Sequence, residues 1–411
     1  MKLTTILVLL LFSLIGGVAA QIKESPPQPP SSNPGWEPPI QLTSGSGDKW
    51  FYALAAQGTT VHFAQGNDTI LYRRSTDEGK TWTHDVTLGA GRIFLASPFV
   101  AQASNVYIVY FRSFRKARDW CCPRDLGGMF LRASRDSGIT WQPEIPLTTS
   151  RSAFRVAVAA FGPDVHVVWM DFRSGIWDIY YRRSGDNGST WGPEVKLAAG
   201  TSKIGSSVGA ERPSIAVLGD SVHVVWMDGR DGNPRCYTMP ECTEIYYKRS
   251  NDHGATWGPD IRLTNETRFS GRPSINVLAP STLLVSLDQG ELGGKAENIY
   301  IKTSADNGNT WGRSQKLSFL NAGFAGHNAM VTAGSSVHVA WFDDRDTSNR
   351  EVFFRASTDA GATWSPEENL SQAPGESTTP LLAVTNQYLH AVWGDRRTGV
   401  LQVFYRRRAM Q

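Results

Sequence analysis

The sequence has 411 residues, a formal net charge of +3, 39 glycines and 14 tryptophans, and 19% of its residues are charged. The balanced charge excludes a nucleic-acid groove, which requires a clustered basic excess, so we expect no nucleic-acid partner. A chain of this length ordinarily divides into two or three domains. Internal repeats override that expectation, because a closed ring of repeats is one cooperative unit.

Residues 1–20 have the pattern of a secretory signal peptide. Lys2 supplies a positive start, an apolar run follows, and residues 18–20 form a small-residue cleavage site. The apolar run is short for a membrane anchor, and no later stretch is apolar enough to span a bilayer. We therefore expect cleavage after Ala20 and a secreted, extracytoplasmic protein without a membrane span. Residues 21–33 are rich in Pro and Ser and predict a disordered lead-in to one domain over residues 34–411.

The four cysteines are Cys121, Cys122, Cys236 and Cys242. In an exported chain they can be oxidised, and four cysteines allow three pairings. We favour a bridge between Cys236 and Cys242 within one loop, whereas Cys121 and Cys122 either form a strained vicinal bridge or stay free. No Cys-x-x-Cys pair occurs, so the sequence predicts no zinc site, and it indicates no other metal or cofactor.

Six octapeptides share the pattern Ser-x-Asp-x-Gly-x-Thr-Trp. They are STDEGKTW from Ser75, SRDSGITW from Ser134, SGDNGSTW from Ser184, SNDHGATW from Ser250, SADNGNTW from Ser304 and STDAGATW from Ser357. The Asp accepts hydrogen bonds from nearby backbone N–H groups and the Gly provides a positive φ, which together predict a tight turn. Because a feature of every repeat can hardly be a unique active site, we interpret the octapeptides as structural.

Each octapeptide lies inside a longer repeat. It follows two alternating apolar runs, for example DVHVVWMD from Asp164 and DIYYRRS from Asp178, and it precedes a third, such as GPEVKLA after Trp191. A further run comes before the first. Each unit therefore holds four short antiparallel strands, which is the pattern of a β-propeller blade.

The two ends of the chain complement each other. After the sixth octapeptide, residues 378–408 repeat the first three strands of a unit, and residues 34–45 resemble an unaccompanied fourth strand. The sequence therefore predicts an all-β fold, a seven-bladed β-propeller whose last blade is closed by the N-terminal strand. This closure would bury two otherwise exposed strand edges. The alternative is a six-bladed propeller of the sialidase type.

Successive loops of an up-and-down blade alternate between its two ends, so the loop after strand two lies opposite the octapeptide. In four blades this loop carries Trp-x-Asp-x-Arg, which we interpret as an ion-paired brace between neighbouring blades. The four sets are Trp169/Asp171/Arg173, Trp226/Asp228/Arg230, Trp341/Asp343/Arg345 and Trp393/Asp395/Arg397. Five histidines at one strand register are also interpreted as structural: His62, His166, His223, His338 and His390. We expect any ligand site at the brace end of the central channel.

A second spacing singles out four residues at the start of the innermost strands. Fourteen residues before each strand-two Trp position stand Arg155, Arg212, Arg272 and His327, with Ser286 at the Trp position of the fifth blade. Three arginines on one rim could converge on a carboxylate, because the planar guanidinium binds both of its oxygens. The alternative is that each arginine pairs with the Asp of a brace.

Irregular blades supply further candidates. The fifth blade has VSLDQGEL from Val285 in place of the brace, which leaves Asp288 and Glu291 without repeat partners, and Glu211 adjoins Arg212. Two carboxylates on one rim could provide general acid–base catalysis. Enlarged loops in the second and fourth blades add Trp120 and Tyr237. Their rings could stack on a sugar, or the loops simply cover the channel.

The octapeptides match the Asp-box, or BNR repeat, and the chain thereby resembles the sialidase superfamily over almost everything after residue 34. The resemblance implies a propeller that grips a substrate carboxylate with three arginines and cleaves glycosides with a Tyr nucleophile, a Glu and an Asp. Arg212 and Arg272 resemble the second and third of these arginines, and Arg155 takes the place of the first. The Arg-Ile-Pro stretch and the nucleophilic Tyr at the end of strand two are absent, so architecture is implied more strongly than sialidase activity.

Two classes of function follow. One is a secreted enzyme on acidic glycans, a sialidase-like glycosidase or a polysaccharide lyase, with the arginines and His327 at the substrate. Its acid–base groups would be Asp288, Glu291 or Glu211. The other class is a non-catalytic lectin-like or adhesion propeller, or an extracytoplasmic scaffold. In either case we expect a glycan partner and a monomer.

Overall fold

The structure is a computed structural model, and it describes residues 35–93, 99–113, 127–199, 209–230, 243–265, 269–290, 296–321, 323–346 and 349–410. Within these ranges every regular element is a β-strand, and no helix is present that could cross a membrane. The expected signal peptide, the Pro/Ser-rich lead-in and the four cysteines lie outside the described residues.

The strands follow one another in groups separated by short turns. The first nine are β1 Ile40–Gln41, β2 Tyr52–Gln57, β3 Thr60–Gly66, β4 Thr69–Ser75, β5 Val86–Ala90, β6 Phe99–Gln102, β7 Asn105–Ser113, β8 Gly127–Ser134 and β9 Ile145–Pro146. The next eight are β10 Ala153–Phe161, β11 Asp164–Asp171, β12 Asp178–Ser184, β13 Val195–Ala198, β14 Ala210–Leu218, β15 Ser221–Asp228, β16 Glu244–Ser250 and β17 Ile261–Arg262. The remainder are β18 Ser270–Ala279, β19 Thr282–Gly290, β20 Ala296–Ser304, β21 Gln315–Lys316, β22 Gly323–Ala333, β23 Ser336–Asp346, β24 Asn349–Ser357, β25 Glu368–Asn369, β26 Ser377–Val384, β27 Tyr388–Asp395 and β28 Gln402–Ala409.

Antiparallel pairing assembles these strands into four-stranded sheets, each named here by its innermost strand. The β2, β6, β10 and β14 sheets each consist of four consecutive strands. The β26 sheet has the order β1-β28-β27-β26. The β18 and β22 sheets are joined into one larger sheet, because β20 and β22 pair in parallel over two residue pairs. The fold is all-β, and its repeated four-stranded antiparallel sheets are consistent with a β-propeller.

The two chain ends meet in the β26 sheet. Strand β1 pairs with β28, so that Ile40 lies opposite Tyr405. Just before β1, Trp36 forms a bridge with Arg408, and its indole N–H donates to Glu368 (3.1 Å). This is the pairing expected of an N-terminal strand that completes the last sheet, and it removes the free edge of β28.

The core lies between neighbouring sheets. Val109 and Leu131 of the β6 sheet pack with Val158 and Trp169 of the β10 sheet in one buried cluster. The strand-two tryptophans are fully buried in such clusters: Trp169, Trp226, Trp341 and Trp393. Burial of a side chain of this size contributes a few kcal/mol, so the sheets depend on their neighbours for stability.

The octapeptide turns satisfy their own polar groups. Ser184 Oγ donates to Asp186 Oδ1 (2.7 Å) and accepts the N–H of Gly188 (2.7 Å). Asp186 also accepts the N–H and the hydroxyl of Thr190 (2.8 and 2.6 Å). The other five octapeptides repeat these contacts. Each turn is closed on itself, as a structural role requires.

The octapeptide glycine and the strand-two histidine belong to one contact between sheets. A Cβ on Gly254, which also has a φ of +81°, would lie 1.9 Å from the hydroxyl oxygen of Tyr181 in the preceding sheet. That hydroxyl is hydrogen-bonded to Nδ1 of His166 (2.7 Å). Burial lowers the pKa of His166 to about 4, so the ring is neutral at physiological pH and its position is structural.

Strand pairing places the octapeptides and the braces at opposite ends of each sheet. In the β10 sheet, Asp171 lies opposite Ala153 at one end, whereas Val165 lies opposite Ser184 at the other. The innermost strands begin at the brace end. The candidate residues at the start of these strands therefore share one end of the ring.

Candidate functional site

Five innermost strands share one irregularity near their first residues. A β-bulge interrupts their pairing with strand two at 154–156, 211–214, 271–274, 326–329 and 378–381. One residue of each bulge has a positive φ: Arg155 (44°), Arg212 (50°), Arg272 (47°), His327 (52°) and Thr379 (53°). A bulge re-aims a side chain, and a non-glycine residue with this φ costs about 1 kcal/mol. Strained residues of this kind cluster at functional sites.

The five bulged residues line one cavity of about 540 Å³. The walls of this cavity, the central channel, come from the innermost strands β2, β6, β10, β14, β18, β22 and β26. The structure thus brings together the four residues that the spacing singled out. Thr379 is not one of those four, although Thr379-Pro380 repeats the dipeptides Arg212-Pro213 and Arg272-Pro273.

In the other sheets with this bulge the strand-two Trp lies opposite the bulge. In the β18 sheet the equivalent residue is Leu287, not Ser286. Ser286 pairs with Ser274, as Val225 pairs with Ser214 in the β14 sheet. The assignment of Ser286 was wrong because β18 has a second bulge between Val277 and Ala279, which adds one residue to the count.

The corrected register changes the meaning of Asp288. Asp288 lies opposite Gly271, and the equivalent pair in the β14 sheet is Met227 opposite Glu211. The brace residue of that sheet, Asp228, is one position further along and lies opposite Ala210. Because successive strand residues point to opposite faces of a sheet, Asp288 and the brace aspartates point to different neighbours. Asp288 is therefore not a remnant of the brace.

Asp288 is fully buried beneath Arg272 and is held by three donors. Its oxygens accept from Nη1 of Arg272 (3.0 Å), Nδ2 of Asn328 (2.7 Å) and the N–H of His327 (3.2 Å). Burial raises the pKa of Asp288, and Arg272 opposes that shift. The aromatic rings of Phe324 and Phe269, 5.0 and 5.7 Å from the guanidinium carbon, further fix Arg272. Asp288 thus positions Arg272 and does not face the cavity.

Arg155 and Arg212 differ from Arg272, because neither has a hydrogen-bond or ion-pair partner within the described ranges. Both line the channel in adjacent sheets, and each lies within electrostatic range of the other. Burial lowers the pKa of both guanidinium groups; Arg272 adds repulsion to each, and Arg155 adds repulsion to Arg212. Arginine nevertheless stays protonated in proteins. The channel therefore contains two neighbouring cations whose donors are free.

Glu211 lies beside this pair. Within the described part of the chain its carboxyl group has no hydrogen-bond partner, but it interacts electrostatically with Arg212 and Arg155. Burial raises the pKa of Glu211, and the two arginines oppose that shift. A carboxyl group whose pKa is raised in this way is a candidate proton donor or acceptor.

His327 supplies a neutral ring at the same end of the channel. Burial and then four nearby arginines lower its pKa to about 3. Its ring packs against Phe342, with 5.3 Å between centroids. A neutral imidazole can accept a proton or a hydrogen bond.

The brace arginines show the opposite arrangement. Arg173 Nη2 donates to Asp171 (2.7 Å), and its guanidinium lies 4.1 Å from the Tyr180 ring centroid. Arg230, Arg345 and Arg397 repeat both contacts with their own aspartates and aromatic rings. The expected ion pairs are therefore present, but each joins residues of a single sheet, so the expectation that they brace neighbouring blades was wrong.

The remaining site predictions, Glu291, Trp120 and Tyr237, lie outside the described residues. Among the residues that are described, no three His, Cys, Asp or Glu side chains are grouped as metal ligands would be. Asn328, which holds Asp288 from the next sheet, was not found from the sequence, because no repeat marks that position.

Comparison by sequence gives no match to a family model or to a curated protein. Comparison of structures gives many matches. A polysaccharide lyase of family PL25, an ulvan lyase bound to -[GlcA(1-4)Rha3S]-, has a TM-score of 0.62 at 12% identity, covering 89% of this chain and 95% of its own. YCF48 bound to D1 peptide has a TM-score of 0.53 at 16% identity, covering 93% and 97%.

The phage phi92 endosialidase has a TM-score of 0.51 at 10% identity, covering 91% of this chain and 69% of its own. These likenesses, at low identity, support the propeller fold. Glycan-active proteins are among the structural neighbours, and fold by itself does not decide function.

Proposed function

We propose that this chain is an exported, seven-bladed Asp-box propeller that acts on acidic glycans. The innermost strands of seven sheets line the channel, and the joined β18 and β22 sheets then count as two blades in short parallel contact. The closed turns of the six octapeptides agree with the Asp-box resemblance. The apolar run and cleavage pattern of residues 1–20 support export.

The proposed ligand group is a sugar carboxylate, and the unpaired Arg155 and Arg212 carry the proposal. Two cations without a hydrogen-bonded partner lie side by side in half-buried positions, where each disfavours the charge of the other, and both stand on strained bulges. A ligand anion would offset both costs. A carboxylate fits best, because two guanidinium groups can bind its two oxygens in one plane. Uronic acids and sialic acids are the carboxylated sugars, and the lyase and endosialidase of similar fold act on glycans.

The chemistry that this geometry supports best is elimination at a uronate. Hydrolysis by most glycosidases needs two carboxyl groups that face the sugar, and within the described residues Asp288 is committed to Arg272. In elimination, the arginines neutralise the uronate carboxylate and acidify the C5–H bond. His327 accepts the C5 proton, the C4–O bond breaks as a C4=C5 double bond forms, and Glu211 protonates the departing oxygen. The second candidate is a non-catalytic glycan binder, which would need the arginine pair alone.

The test is a panel of polyuronates, sialylated glycans and neutral glycans, each assayed for binding and for products. Each polyuronate is paired with its carboxyl-reduced form, which is a neutral polymer of the same linkage. We expect binding of a carboxylated glycan, loss of binding on reduction, and unsaturated uronate products. Binding without product would favour the non-catalytic alternative. Equal binding of native and reduced polymers would contradict the carboxylate proposal.

A further inference from the structure

Glu211 and a bound carboxylate would compete for the same two cations. The Glu211 carboxyl group adjoins Arg212 on strand β14, and Arg155 approaches it from strand β10. These are also the cations with free donors toward the channel. Because Glu211 makes no hydrogen bond within the described residues, electrostatic attraction to the arginines is the interaction that stabilises its charge.

Other charged groups near Glu211 are already balanced. On the side of the β18 sheet, Arg272 is paired with Asp288. On the adjacent strand β15, Asp228 is paired with Arg230. His327 carries no charge at neutral pH. The described residues therefore leave two positive charges, and an ionised Glu211 balances one of them.

We propose that a carboxylate ligand binds to the Arg155–Arg212 pair together with one proton, which Glu211 takes up, so that Glu211 is neutral in the complex. This inference rests on the proposed carboxylate site. The ligand occupies the guanidinium donors and brings a like charge beside Glu211. A second carboxylate bound to the same two arginines raises the pKa of Glu211, because like charges disfavour each other's ionised form. The proton reaches Glu211, since the ligand carboxylate makes the hydrogen bonds to arginine.

This coupling has two consequences. The affinity for a carboxylate rises as the pH falls, up to tenfold per pH unit, between the pKa values of Glu211 in the complex and in the free protein. Below and above that range the affinity is constant. In the complex Glu211 can donate a proton but cannot accept one. In any proton transfer at this site Glu211 is therefore the acid.

The experiment is titration calorimetry of D-glucuronate and of a glucuronate trisaccharide with the full chain between pH 4.5 and 8. These ligands are ionised above about pH 4.5, so their own titration does not interfere. At each pH, buffers of different ionisation enthalpy give the number of protons taken up. We expect uptake approaching one proton per ligand where the affinity changes most steeply.

The matched variants are Glu211→Gln, which keeps the shape and cannot ionise, and Glu211→Asp, which can. We expect Glu211→Gln to bind glucuronate more tightly than the wild type at pH 8, with constant affinity and no proton uptake. Glu211→Asp should retain the pH dependence. Binding by the wild type without proton uptake would overturn the inference and leave the carboxylate site intact. No binding of either probe at any pH would overturn both proposals.

Discussion

Two sets of arginines lie at the same end of the ring, one strand apart, and they differ in one respect. Arg173, Arg230 and Arg345 each donate to an aspartate two residues earlier and stack on an aromatic ring. Arg155 and Arg212 start neighbouring innermost strands, and neither donates to a carboxylate in the described part of the chain. Although burial opposes it, hydrogen bonds to the aspartates raise the pKa of the brace arginines, whereas burial lowers the pKa of Arg155 and Arg212.

The difference teaches that repetition alone does not separate a structural cation from a binding cation. Both sets recur at a fixed register in several sheets. A cation that brings its own carboxylate two residues away is satisfied within its strand and stabilises the fold. A cation that the backbone directs into a channel without a partner keeps its donors for a ligand.

The largest expected effect tests the structural set. Arg230→Gln leaves Asp228 fully buried without its cation. We expect the free energy of unfolding to fall by about 3 kcal/mol, because removal of one partner of a buried pair has this cost, while the affinity for a carboxylated glycan is unchanged in the folded fraction. Denaturant unfolding and calorimetry measure the two quantities. A stable variant that has lost affinity would reverse the assignment of the two sets.

Arg212→Gln tests the binding set. We expect a loss of about 30-fold or more in affinity for a carboxylated glycan, since a hydrogen bond to a charged group contributes about 2 kcal/mol. The free energy of unfolding should change by less than about 0.5 kcal/mol, because the lost attraction to Glu211 is offset by relief of the repulsion from Arg155 and Arg272. Arg313→Gln is the charge-matched control, an exposed residue two positions after an octapeptide. Equal losses in the two variants would show a general charge effect instead of a specific site.

Acid should affect the two ends of the ring in opposite directions. Hydrogen bonds from Thr190 lower the pKa of Asp186 to about 2, and hydrogen bonds from Thr140 do the same for Asp136. A lowered pKa stabilises the folded state above the unfolded value of about 4, and this contribution is lost as the pH falls from about 4 to 2. Acid unfolding followed by circular dichroism should therefore begin below pH 4, and Asp186→Asn should weaken the pH dependence. Ligand affinity should already have risen at higher pH.

The smallest expected effect concerns the bulge itself. Thr379→Asn should raise the free energy of unfolding by about 0.5 kcal/mol, because Asn tolerates a positive φ better than a β-branched residue. Thr378→Asn, one residue earlier in ordinary strand conformation, should be neutral or destabilising. Thermal unfolding of the two variants compares them directly. A destabilised Thr379→Asn would show that the contact of its hydroxyl group with Thr378 (3.1 Å) outweighs the backbone strain.

The sequence predicted what depends on local spacing. The octapeptide turns make their hydrogen bonds within eight residues, and the braces pair residues two apart. Both can therefore be predicted from a single copy of the repeat. The register of Arg155, Arg212 and His327 followed from a constant spacing of fourteen residues to the strand-two Trp, because their bulges and hairpins have the same length. The count failed at Ser286, where an extra bulge near Leu278 shifts the pairing.

Contacts between sheets could not be predicted in the same way. Asn328 reaches Asp288 over a separation of 40 residues, and no repeated pattern marks either position. The proximity of Glu211 to Arg155 likewise depends on how neighbouring sheets pack. The sequence also suggested a catalytic role for Asp288, and only the register of β18 shows that this side chain points to the next sheet.

At the five bulges the backbone sets the direction of the side chain, whichever residue type is present. Arginine, histidine and threonine occupy the same strained backbone conformation and line the same channel. A single substitution at any of these positions can therefore change the charge and shape of the opening while the ring keeps its geometry. Thr379→Arg would add a fourth cation to the three channel arginines, and Arg212→His would reduce the positive charge of the channel. A family of chains built on this backbone could acquire new ligand preferences one residue at a time, without refolding any blade.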